Sequence, residues 1–302
     1  MNDKFIDSYK LVTDTIIAQL EKGNVPWRCP WRRNVGRPRN FHTGREYQGI
    51  NVLLLSIRRF SSPYWMTWNQ IKQRGGGVLK GEHGSLVVKY GQFKKKTSDN
   101  QPADEEKQRY YLKGYKVFNA VQIKDIEFPV VSTEPVPTLG RRIEMAEAIV
   151  ASMQTLPEIR EGRHTTACYR RLSDTIDMPE REGFDVLENF FLTLFHELVH
   201  STGHESRLSR KSLIENDGFG GKVYSQEELV AEMGAAFLGT EADIVRDDFE
   251  QSAAYLKGWL DALRSKDHKR WIVQAANQAE KATDFILGRD SVSEATTEST
   301  GA

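Results

Sequence analysis

The chain has 302 residues, 39% of them hydrophobic and 28% charged, with a formal net charge of zero. That balance belongs to a globular protein and excludes a disordered polyelectrolyte. No run approaches the ~18 apolar residues of a membrane span, so no membrane partner is expected. Cys29 and Cys168 are the two cysteines. They are too few and too far apart for a disulfide scaffold or a cysteine-rich zinc site, and they fit a reducing, cytoplasmic setting.

The opening MNDKFIDSYKLV carries acids and no apolar core, so no secretion signal is expected. Periodic apolar residues predict a helix over 5–22. Further helices are expected over 50–58 and 68–73, the latter broken by the glycines at 75–77. Runs at 85–93 and 110–123 read as strands, joined through a polar, mobile loop at 97–108. The proline-rich stretch 127–139 predicts a linker between domains at 1–126 and 140–288. Within the second domain, a helix is expected over 140–154 and a β-run over 165–171. Helices then follow at 187–202, 225–238, 249–264 and 268–287, with a glycine-bearing loop at 203–224. The small polar residues of 289–302 predict a disordered tail. The order predicts an α+β fold class with two domains, the second mainly helical with a small sheet.

Charge divides the chain at the same place. Residues 1–126 carry 23 Lys/Arg against 11 Asp/Glu, and residues 127–302 carry 19 against 31. A basic half suits a polyanion. Its aromatic and cationic residues interleave: Trp27, Arg28, Trp31, Arg32 and Arg33, then Arg37, Arg39, Asn40, Arg45 and Tyr47, then Trp65, Trp68 and Lys72. Exposed rings stack on unpaired bases while cations follow phosphates, so these are the candidate contacts to single-stranded DNA.

The acidic half holds His196-Glu197-Leu198-Val199-His200, an H-E-x-x-H pattern. Residues i and i+4 of a helix are neighbours, with Cβ atoms ~5–6 Å apart. Two imidazoles can then meet one metal ion, Zn2+ by donor type with Mn2+ as an alternative, and Glu197 becomes the general base of a metal-dependent hydrolase. Phe190, Phe191, Leu194, Phe195, Leu198 and Val199 predict a buried helix, and Gly203 offers its stop.

A third protein ligand is needed. His204 is four residues past His200, but ligands at i, i+4 and i+8 span about 12 Å of helix axis and converge only if the helix breaks at Gly203. Glu228 opens the separate helix EELVAEMGAAFLG and is the preferred ligand, with Glu227 a weaker choice and a Ser225-to-Glu228 capping box the structural alternative. Glu232, one turn on, resembles the acid that orients a ligand histidine in gluzincins. Tyr224 or Arg207 is the candidate partner for a developing oxyanion, and the run at 165–171 the candidate edge for an extended peptide.

Longer stretches carry a family resemblance. VPWRCPW (25–31), TGREYQGIN (43–51), SPYWMTWNQI (62–71) and YKVFNAVQI (115–123) resemble the single-stranded-DNA-binding domain of the ArdC family of antirestriction proteins, a domain shared with TraC-type conjugative primases. DTIDMP (174–179), FHELVHSTGHESRL (195–208), YSQEELVAEMGAAFL (224–238) and AAYLKGWLDAL (253–263) resemble that family's zincin-like metallopeptidase domain. The resemblance implies protection of incoming plasmid DNA from restriction in a bacterial cytoplasm. Its partners would be single-stranded DNA and DNA-bound host proteins such as restriction enzymes. The alternative reading is a non-catalytic DNA-binding protein whose metal site is structural or vestigial.

Overall fold

The computed structural model describes residues 7–28, 35–92, 110–131, 135, 137–214, 222–244, 253–264 and 270–289. The expected loop at 97–108 and the tail beyond 289 lie outside these residues. The architecture is two-domain α+β. One compact unit comprises residues 1–26, 30–134 and 250–273, and the other 27–29, 135–249 and 274–302.

The first unit opens with α1 (Ser8–Leu20), capped by the Asp7 carboxylate, which accepts from the Tyr9 and Lys10 amides. Then follow β1 (Arg39–Asn40), α2 (Ile50–Ser56), β2 (Tyr64–Thr67), α3 (Trp68–Gln73), β3 (Gly77–Val78), β4 (Ser85–Gln92), β5 (Tyr110–Asn119) and β6 (Ile123–Lys124). Four strands form a curled sheet in the order β1-β2-β5-β4, antiparallel except for β1 beside β2, while β3 pairs with β6. Successive strand residues point to opposite faces, and the core divides accordingly. Trp65 and Val117 pack with Leu55 and Val87, whereas their neighbours Met66 and Phe118 pack with Ile71 and Ile123. Thr67 and Gln70 form a reciprocal capping box that starts α3 directly from the end of β2.

The second unit contains α4 (Leu139–Ser152), β7 (Glu158–Gly162), β8 (Cys168–Arg170), β9 (Thr175–Pro179), α5 (Leu187–Thr202), α6 (Lys211–Ile214) and α7 (Lys222–Glu241). Its sheet runs β7-β9-β8, with β7 parallel to β9 and β8 an antiparallel edge. Phe190, Phe191, Phe195, Leu198 and Val199 of α5 are buried. Helix α7 lies against α5 because Gly234 lacks a side chain. A Cβ there would stand 2.6 Å from Val199 Cγ2, a clash that overpacking penalises.

The units depart from the expected boundaries in three places. The first unit extends past residue 126, since Ile126 and Phe128 pack on the Met66 cluster and the Phe128 ring lies 4.7 Å from that of Phe41. Helix α8 (Ala253–Arg264) returns to the first unit, where Arg264 meets Glu21 at 2.6 Å. Residues 27–29 belong to the second unit, as does most of α9 (Trp271–Ile286). Among the described residues no helix is long and apolar enough to cross a membrane.

Candidate metal centre and nucleic-acid face

One turn of α5 and the start of the described side chains of α7 bring three ligand groups together. His196 Nε2 and His200 Nε2 are 3.1 Å apart. Glu228 reaches both, with Oε2 3.4 Å from His196 Nε2 and Oε1 3.4 Å from His200 Nε2. Ligand atoms held ~2.0–2.1 Å from a four-coordinate ion stand about 3.3 Å from one another, and one atom from each of the three residues lies within 4.8 Å of the others, close enough to share one ion. Among the described residues these three make up a group that could hold a metal ion. His204 is not in it. Its Nδ1 shares a hydrogen bond with Ser206 Oγ at 2.8 Å and accepts from the Ser206 amide. Glu228→Ala should therefore lower metal affinity by more than the ~10–100-fold that loss of a supporting partner costs, while His204→Ala leaves it unchanged. Metal content after equilibrium dialysis reads both, and the reverse pattern would transfer the ligand role to His204.

The carboxylate beside the second ring nitrogen of His200 is that of Glu227. Glu227 Oε1 lies 3.3 Å from His200 Nδ1, the nitrogen opposite the ligand position. The same carboxylate accepts from Arg210 Nη2 at 2.5 Å, Arg210 Nε at 3.1 Å and Ser212 Oγ at 2.5 Å. Arg210 also donates to the Val199 carbonyl at 2.6 Å and to Thr202 Oγ1 at 2.5 Å, satisfying the end of α5. Gly203 makes room for this, since a Cβ would stand 2.9 Å from Arg210 Nη2. Burial opposes charge on His200, yet the Glu227 and Glu228 carboxylates outweigh it and raise its pKa. Burial likewise opposes ionisation of the two acids, but Glu227 is held low by His200 and Arg210, and Glu228 by His196 and His200. Glu232 lines a cavity of about 180 Å3 with His196, Trp27, Leu192 and Ala235.

Glu197 is buried, and its Oε2 accepts from the Tyr169 amide of β8 at 2.7 Å. The edge strand is thus tied to the carboxylate between the two histidines. Arg207, a candidate oxyanion partner, is committed elsewhere. It grips Asp174 with two 2.8 Å bonds and donates to the Thr155 and Ser201 carbonyls. Asp174 also accepts from the Tyr169 hydroxyl at 2.8 Å, so this cluster braces the β8–β9 turn against the end of α5. The side chain of Tyr224 lies outside the described residues.

The expected DNA contacts separate into distinct groups. Trp27 and Trp65 are 0% and 2% exposed, so neither indole can stack on a base. The aromatic spacing that suggested stacking reflects core packing in these two cases. Arg37 is also buried, donating from Nε to the Tyr47 carbonyl at 3.1 Å. Arg28 is half-buried at the cavity of the second unit. Trp31, Arg32 and Arg33 lie outside the described residues. Arg39 pairs with Glu46 at 2.8 Å. Trp68 is 46% exposed with Lys72 Nζ 5.1 Å above its ring. Asn40, Arg45 and Tyr47 line a groove of about 500 Å3 on the first unit. Asn40 shapes its rim, accepting from the His42 and Thr43 amides and donating to Gln70 Oε1, each at 3.0 Å.

A His-His-Glu triangle on two packed helices, beside a three-stranded sheet with an open edge, defines a zincin-like metallopeptidase domain. Residues 144–278 match the family model for a zincin-like metallopeptidase, and residues 6–118 match that for the N-terminal domain of anti-restriction factor ArdC. The chain belongs to the ArdC family of antirestriction proteins. The crystal structure of the metal-free antirestriction ArdC protein from plasmid R388 is 38% identical, with a TM-score of 0.71 over 93% of this chain and 97% of that one. Its Mn(II)-bound structure gives 37% identity and a TM-score of 0.72, over 94% and 98%. An uncharacterized protein of Sinorhizobium fredii, y4eC, is 31% identical over 94% of this chain and 93% of its own length. DNA primase TraC of Escherichia coli is 33% identical over 92% of this chain, which spans only 27% of that primase.

Proposed function

We propose that the protein shields incoming single-stranded plasmid DNA from restriction, holding the strand on its basic first unit and using the second as a metal-dependent peptidase on proteins bound there. The observation that carries the peptidase reading is the cluster of His196, His200 and Glu228, whose ligand atoms lie within 4.8 Å of one another, the two histidines being on the helix that also carries Glu197. Zn2+ suits the two imidazoles and one carboxylate, and Mn2+ is the alternative suggested by the R388 relative. When bound, such an ion supplies Lewis-acid polarisation of a carbonyl and acidifies a water. The chain's own residues do the rest. The Tyr169 amide fixes one oxygen of Glu197, leaving the carboxylate aimed to take a proton from the attacking water and return it to the leaving amine. The edge of β8 offers backbone groups to an extended peptide.

The test is cleavage of a model protein bound to an oligonucleotide, with metal supplied, compared with the same protein free in solution. Cleavage only on single-stranded DNA is the expected result. DNA binding with no cleavage of any bound protein would leave a shielding protein whose metal site is structural.

A further inference from the structure

The groove of the first unit contains a feature that the basic-aromatic segments do not account for. Its floor is the β4–β5 pair, in which Lys89 stands directly opposite Lys113 and Val87 opposite Tyr115. Residues paired this way share a face, and like charges directly opposite destabilise a sheet. Both lysines are exposed, and Lys113 Nζ lies 5.3 Å from the centre of the Tyr115 ring. Tyr115 itself is 40% exposed, although two residues along the same face Val117 is buried in the core. An open ring flanked by two opposed cations is a poor arrangement for folding and a good one for a polyanion with flat bases. The volume of about 500 Å3 falls within the ~300–1,000 Å3 range of small-ligand sites, large enough for a nucleotide. The floor is rigid, because Asn51 clamps β4 by accepting from the Val88 amide at 2.7 Å and donating to its carbonyl at 2.8 Å.

We propose that this groove receives an unpaired nucleobase of the bound strand, stacked on Tyr115, with Lys89 and Lys113 holding the adjoining phosphates. The assignment rests on the reading that the first unit binds single-stranded DNA. Trp68 offers the competing ring, but it leans on Phe118, 6.1 Å between centres, from the opposite face of β5.

The experiment is fluorescence anisotropy of the full chain with labelled oligothymidine and with a duplex of equal length, across a salt series. Tyr115→Ala should weaken oligothymidine binding by about five- to a hundredfold, the usual range for one lost base stack. Tyr115→Phe should retain it. Lys89→Ala and Lys113→Ala should each reduce the salt slope by about 0.7. Light-induced crosslinking of wild type to a bromouracil-substituted strand, with the attached peptide identified by mass spectrometry, should mark Tyr115 whether or not the alanine variant folds. Wild-type binding that is unchanged in Tyr115→Ala but lost in Trp68→Ala overturns the assignment, as does a crosslink confined to Trp68. No binding of wild type to either oligonucleotide overturns the DNA reading itself.

Discussion

Replacing Glu227 with alanine should destabilise the second unit by about 3–5 kcal/mol, the cost of breaking one partner out of a buried ion pair. The side chains of Arg210 and Glu227 are 3% and 2% exposed. Without the carboxylate, a guanidinium remains buried with its charge uncompensated, and Ser212 and His200 each lose an acceptor. The measurement is the denaturant midpoint of the second unit's transition, followed in metal-free protein so that ligation does not mask the loss. Adding Arg210→Met to Glu227→Ala should recover part of the stability by removing the unpaired charge, the remainder being the lost bonds of Arg210 to the Val199 carbonyl and Thr202 at the end of α5. Metal affinity should fall by about 10–100-fold in the same variant, as it does when the support of a ligand histidine is removed. A change in stability of less than about 0.5 kcal/mol, typical of surface sites, would mean the buried pair contributes nothing.

The role of Glu227 shows why parts of the site were hidden in the sequence. Helix α5 was legible because its apolar run and its H-E-x-x-H spacing obey one period, and the helix spans Leu187–Thr202 as expected. Glu228 was legible as a candidate because it lies on a separate helix that can approach the two histidines from another side. The role of Glu227 was not, because consecutive helix residues point about 100° apart and nothing local says which one faces the metal helix. Arg210, which pairs with Glu227, is 17 residues away in the sequence. Strand β2 escaped for a different reason. Trp65 and Met66 are both buried, on opposite faces, so YWMT has no polar alternation to mark it as a strand. The same burial hides the Trp65 indole, whereas Tyr115, in an ordinary-looking strand, is 40% exposed. Charge imbalance singled out the basic half but could not rank its aromatics, because exposure depends on which rings the surrounding elements cover.

Glu197→Gln should lower the rate of peptide cleavage by about 10²–10⁴-fold, the usual contribution of a positioned general base. Glutamine keeps the shape of the side chain, and its amide oxygen can still accept from the Tyr169 amide, now met at 2.7 Å by the carboxylate. What it lacks is a basic lone pair with which to take a proton at neutral pH. The fold, the metal content and the affinity for single-stranded DNA should therefore match wild type, and the loss should appear in kcat with little change in KM. Alanine is the less informative change. It strands the Tyr169 amide without a partner at about 1–3 kcal/mol and frees the edge strand that would receive the peptide, so binding and chemistry would fail together. Cleavage by the glutamine variant within tenfold of wild type would remove Glu197 from the proton path. If the same variant still protected DNA against restriction as well as wild type, protection would be assigned to the DNA-holding unit alone.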